Sequence, residues 1–74
     1  MITKIQAEIA AEYRRANELH GHFASPHEAY AVLIEEVEEF WAECKKKRPN
    51  KYRMHDEMVQ VGAMALKFLI QFKI

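Results

Sequence analysis

The scarcity of breakers constrains this chain more than any other feature. Its 74 residues include only two glycines and two prolines, and the prolines fall at natural breaks. Between the breaks, apolar residues recur at helical spacing, and no segment shows the alternation of a strand. Thr3 with Gln6 matches a capping box, so a first helix is predicted from near Lys4. Ile2, Ile5, Ile9, Tyr13, Ala16 and Leu19 or His20 form its apolar stripe, and Gly21 is a suitable stop. Ser25, Pro26 and Glu28 give a stronger start signal: a cap, a first-turn proline and the partner of a capping box. Tyr30, Leu33, Val37, Phe40, Trp41 and Cys44 form the second stripe, which predicts core packing for Tyr30 and Trp41. This helix is predicted to run through Lys45-Lys46-Lys47-Arg48, where cations suit a helix C-terminus, and to end at Pro49-Asn50. A third helix is predicted from about Lys51 to Phe72, with Met54, Met58, Val61, Ala65, Phe68 or Leu69, and Phe72 as its apolar stripe.

Residues 1–74 are thus expected to form a single all-α domain, a three-helix hairpin. At this length one core is marginal, and association is a common remedy. Apolar residues at Phe68, Leu69, Ile70, Phe72 and Ile74 exceed what a hairpin can cover. A homodimer completing a four-helix-type core, or a higher homo-oligomer, is the expected outcome. The formal net charge of zero argues against a general nucleic-acid binder. No run approaches the ~18 apolar residues of a membrane span, and the N-terminus lacks the apolar region of a signal peptide. Cys44 is the single cysteine, which excludes an intrachain disulfide and suits a reducing cytoplasm; its place on the apolar stripe predicts packing.

The chemistry lies in acidic pairs. Glu36 and Glu39 are three apart, and so are Glu57 and Gln60, so each pair shares a helix face. Glu36 and Glu39 fall about 60° apart on the wheel, at the edge of the second stripe. Glu57 and Gln60 flank the third stripe in the same way. Two such pairs on facing helices would line a site for a hard cation such as Mg²⁺ with oxygen. At a half-buried stripe edge, clustered like charges are costly without a cation. A solvated acidic face paired with nearby lysines is the competing reading.

Between the pairs run Lys45, Lys46, Lys47, Arg48, Lys51 and Arg53. They read either as helix-end and loop charges or as holders of phosphate groups, with Arg53 best placed beside Glu57. Lys67, two turns beyond Gln60, is a similar candidate. Trp41 could stack on a base, although its stripe position favours the core. His20, His22 and His27 surround the first loop and His55 opens the third helix, but their spacing matches no compact zinc pattern.

The blocks His27-Glu28-Ala29-Tyr30-Ala31-Val32-Leu33, Glu35-Glu36-Val37-Glu38-Glu39-Phe40-Trp41 and Glu57-Met58-Val59-Gln60-Val61-Gly62-Ala63-Met64-Ala65 carry a resemblance. Glu-Glu-x-x-Glu followed, after a basic stretch, by Glu-x-x-Asp resembles the MazG-like all-α nucleoside triphosphate pyrophosphohydrolases, relatives of dimeric dUTPases and phosphoribosyl-ATP pyrophosphohydrolases. The likeness spans about residues 27 to 72 and is nearest to small phage- or mobile-element-like members. It implies Mg²⁺, or Mn²⁺, at Glu36, Glu39, Glu57 and the Asp position, here Gln60. It also implies a nucleoside triphosphate as substrate, cleaved to monophosphate and pyrophosphate by a water that Glu35 or Glu39 orients or deprotonates. Arg53, Lys67 and Trp41 are the corresponding substrate-binding candidates. Gln60 departs from the pattern. It remains an oxygen donor but removes a charge, and Asp56 or Glu43 could restore a carboxylate. Otherwise the chain is a binding module that has lost catalysis.

Overall fold

The computed structural model describes residues 1–73, and Ile74 lies outside the described residues. Three helices make up the chain: α1 (Ile2–His20), α2 (Pro26–Cys44) and α3 (Lys51–Gln71), with no strand among the described residues. The all-helical expectation therefore holds. Two boundaries differ from the sequence reading. Thr3 lies inside α1, which begins at Ile2 behind Met1 with no side-chain cap. The helix α2 stops at Cys44, so Lys46 to Arg48 form a connector instead of a last turn.

Local chemistry explains the other ends. Gly21 takes φ 70°, a left-handed value that glycine adopts without a Cβ clash, and its N–H donates to Asn17 O at 2.8 Å. Ser25 Oγ accepts the Glu28 N–H at 3.1 Å, while Glu28 Oε1 accepts the Ala24 N–H at 3.0 Å. The predicted capping box thus forms, with Glu28 reaching one residue further back. Asn50 Oδ1 caps α3 by accepting the N–H groups of Tyr52 at 2.9 Å and Arg53 at 3.2 Å.

Glu43 closes the connector. It is buried, accepts the Asn50 N–H at 2.9 Å, and binds Lys46 Nζ at 2.8 Å and Arg53 Nε at 3.3 Å. These partners, the Lys46 hydrogen bond foremost, hold its carboxyl below the ordinary range.

The central helix is α3, which packs on both α1 and α2, whereas α1 and α2 do not pack on each other. Ile9 of α1 seats at Gly62, where an added Cβ would lie 3.2 Å from Ile9 Cδ1. His55 Nε2 and Glu8 Oε2, 2.6 Å apart, tie the same two helices, next to Ile9 on α1 and near the N-terminus of α3. The core is small: Ala16, Phe23, Ala29, Ala63 and Met64, flanked by Ile9, Tyr13, Val32, Leu33 and Phe72. Phe23 enters from the first loop, and the Gln71 side chain holds both its N–H and its carbonyl.

Core packing for Tyr30 and Trp41 is not what the protomer shows. They are 66% and 56% exposed, because α3 covers a different edge of α2. Cys44 is half-buried. Phe68, Leu69 and Ile70 are exposed as expected, whereas Phe72 packs against the core.

Candidate metal centre

The carboxylates gather where α2 meets α3. Glu36, Glu39 and Glu57 each place an oxygen within 4.8 Å of the others, two from one turn of α2 and one from α3. No other His, Cys, Asp or Glu group of this kind occurs among the described residues, so the histidines form no zinc-type cluster. Glu36 and Glu57 are half-buried and Glu39 is exposed. Buried oxygens Glu36 Oε2 and Glu57 Oε2 have no hydrogen-bond partner among the described residues.

Electrostatics follows from this crowding. The Glu36 carboxyl is pushed up to about 7, first by burial and then by Glu39, Glu57 and Glu35. Burial likewise raises Glu57, with Glu39 adding to the effect and Arg53 opposing it. Repelling carboxylates with unpaired oxygens are the donor set a hard divalent cation needs: oxygen ligands, net negative charge and convergence on one point. The residues therefore fit Mg²⁺ or Mn²⁺.

Two cavities flank the trio. An open one of about 360 Å³ is bordered by Glu39, Glu57, Glu43, Lys46 and Arg53. Another, of about 310 Å³, lies between the three helices and is bordered by Glu36, Gln60, Arg15, Phe23 and Lys67, among others. Gln60 is half-buried one turn beyond Glu57, and Glu35 lies on the rim of the second cavity.

The remaining sequence candidates divide. Arg53 borders the open cavity but is already bound to Glu43. Trp41 borders neither cavity; it lies on the outer surface with Lys45 Nζ 5.7 Å from its ring centroid. Neither acid that could have restored a fourth carboxylate joins the trio. Glu43 is occupied by its three partners, and Asp56 borders a depression with Glu8 and His55 on the α1 side. Lys67 is buried, which its position on the wheel alone did not indicate. Arg15, Glu12 and Phe23 were missed, although the Glu12–Arg15 spacing beside Ala16 on the first stripe could have drawn attention to them.

No family model matches the chain, and comparisons with curated proteins and with solved structures found no match either. The class defined by fold and site is a three-helix all-α protein with an oxygen-lined candidate cation site between two helices.

Proposed function

We propose that this chain is a Mg²⁺-dependent, MazG-like nucleotide pyrophosphohydrolase that converts a nucleoside triphosphate to its monophosphate and pyrophosphate. The observation that carries this reading is the convergence of Glu36, Glu39 and Glu57 with two buried oxygens unpaired. Fully solvated glutamates would need no such arrangement. In this reading Glu36, Glu39 and Glu57 hold the cation, and the amide oxygen of Gln60 completes the oxygen face. A bound Mg²⁺ supplies neutralisation of phosphate charge and acidification of a water. Glu35 or Glu39 takes the proton of the attacking water, and Arg53 steadies the phosphates from the open cavity. A role in clearing non-standard nucleotides suits such an activity. Its setting is the cytoplasm, where Cys44 stays reduced.

The working unit is a homodimer. Tyr30, Phe68 and Leu69 border an apolar groove of about 370 Å³ between α2 and α3, and Ile70 and Trp41 are also exposed. A second copy on this face would complete a four-helix core.

The test is pyrophosphate release from canonical and modified nucleoside triphosphates with Mg²⁺ or Mn²⁺. Release that disappears in Glu36→Gln is the expected result; no release from any substrate overturns the hydrolase. Gln60 favours a second reading, a module that binds nucleotide or a partner without turnover. Gln60→Asp separates the two, since only a decayed centre gains activity strongly from the restored carboxylate.

A further inference from the structure

Charge is spread unevenly along this neutral chain. Lys45, Lys46, Lys47, Arg48, Lys51 and Arg53 account for six of its 11 lysines and arginines, and no acid occurs from Cys44 to His55. All six cations are exposed. Glu43 engages Lys46 and Arg53. Lys45, Lys47, Arg48 and Lys51 have no ion-pair partner among the described residues. Two exposed aromatic rings stand among these four. Trp41 has Lys45 Nζ 5.7 Å from its ring centroid, and Tyr52, 73% exposed, has Lys51 Nζ at 5.6 Å.

The fold gathers these groups at one end. The helix α2 ends at Cys44 and α3 begins at Lys51, so Trp41 and Tyr52 each lie within about one 5.4 Å turn of the connector. Because α2 and α3 pack side by side, both rings and the four cations share the connector end of this hairpin. The apolar groove lies towards the other end, bordered by Pro26 and Leu33 of α2 and by Met64 and Leu69 of α3, among others. Leu33 is about 12 Å along α2 from Trp41 by helical rise, so a second copy seated in the groove does not need the connector end.

We infer that this end of the hairpin docks on an anionic lipid surface. Tryptophan and tyrosine settle at the headgroup level of a bilayer, and lysine and arginine are drawn to its anionic lipids. Each exposed ring here has a lysine over it, which sets the two functions side by side. A single-stranded nucleic acid would also use rings and cations, but such strands run in basic grooves. The open cavity next to the connector is instead bordered by Glu39, Glu43 and Glu57, which repel a phosphate backbone unless a cation sits at the trio. A lipid surface needs no groove. Among the described residues no helix is long and apolar enough to cross a membrane, so the contact is peripheral. It requires neither a cation at the trio nor hydrolysis.

The experiment is co-sedimentation of the full chain with vesicles of phosphatidylcholine alone and of an equal mixture with phosphatidylserine. Fluorescence of Trp41, the single tryptophan, is followed alongside. Binding to the anionic vesicles only, with a blue shift of Trp41 emission, is expected, and added salt should release the chain. A chain carrying Lys47→Gln and Arg48→Gln should bind about 25-fold more weakly, about fivefold for each cation removed. Trp41→Ala should also weaken binding. No co-sedimentation, equal binding to neutral vesicles, an unshifted Trp41 or full binding by the double variant overturns the inference. So does a chain that ignores vesicles but binds a single-stranded oligonucleotide, which would assign this end to nucleic acid. If the double variant loses its helical circular dichroism, the salt dependence and Trp41 shift of the wild type decide. Vesicle binding by a chain that releases no pyrophosphate would refute the proposed enzyme and leave this inference standing.

Discussion

Glu36 stands at the junction of stability and chemistry. A carboxyl whose pKa is higher folded than unfolded makes the folded state bind more protons between the two values. Stability then falls as pH rises through that window. For Glu36 the window runs from the ordinary value of 4.5 to about 7, and the raised Glu57 acts in the same direction. Without divalent cations, Tm is therefore expected to drop across this range, by the equivalent of about 1 kcal/mol after allowance for solvent screening. Saturating Mg²⁺ should flatten the slope, because a cation favours the ionised carboxylates. Thermal melts across the range, with Mg²⁺ or with EDTA, check this; a flat EDTA profile would contradict it. Glu36→Gln should remove the repulsion and raise the EDTA Tm at neutral pH, while weakening Mg²⁺ binding measured by calorimetry. A lower Tm would instead show that Glu36 is a structural acid. The i, i+3 spacing made Glu36 and Glu39 legible in the sequence. The orphaned oxygen of Glu36 was not, because it depends on what α3 places opposite it.

Local hydrogen-bonding rules act at the ends of elements, and there the sequence was easiest to read. Ser25 and Gly21 work as their types suggest, since each contact lies within a few residues along the chain. Ser25→Ala is expected to cost about 1 kcal/mol, the usual value for a lost N-cap, measured by urea unfolding. An unchanged midpoint would mean that Pro26 alone defines the start of α2. Lys45 to Arg48 were misread because a helix dipole tolerates cations but does not oblige the helix to continue over them. Beyond Cys44 the connector is held by Glu43, which takes the Asn50 N–H and pairs with Lys46 and Arg53. Glu43→Ala should thus lower Tm more than Glu38→Ala, an exposed glutamate on the same helix. Equal effects would show that the connector holds without it. A reading of charge types alone placed Glu43 among possible metal ligands, and only its partners across the turn reveal its structural role.

At the scale of the whole molecule, periodicity identified apolar faces without saying what covers them. Tyr30 and Trp41 occupy stripe positions yet face outward, because α3 takes one side of α2 and leaves the other bare. Lys67 shows the converse. Its burial depends on Phe23, brought from a loop 44 positions earlier by Gln71, and helical spacing carries no information about such a contact. The five buried apolar residues include three alanines, a slight core for a chain of this length. Leu69 is 65% exposed beside Phe68 and Tyr30, so a protomer alone leaves much of its apolar surface in water. If a second copy covers this face, folding and association are linked, and Tm must rise with protein concentration. Leu69→Glu would place two charges against the apolar face of the pair and should give a monomer of lower Tm, whereas Lys47→Glu, on the exposed connector, should change neither mass nor Tm. Sedimentation equilibrium and melts over a wide concentration range measure both quantities. A wild-type chain that sediments as a monomer with a concentration-independent Tm would remove the dimer and require the small core to support the fold by itself.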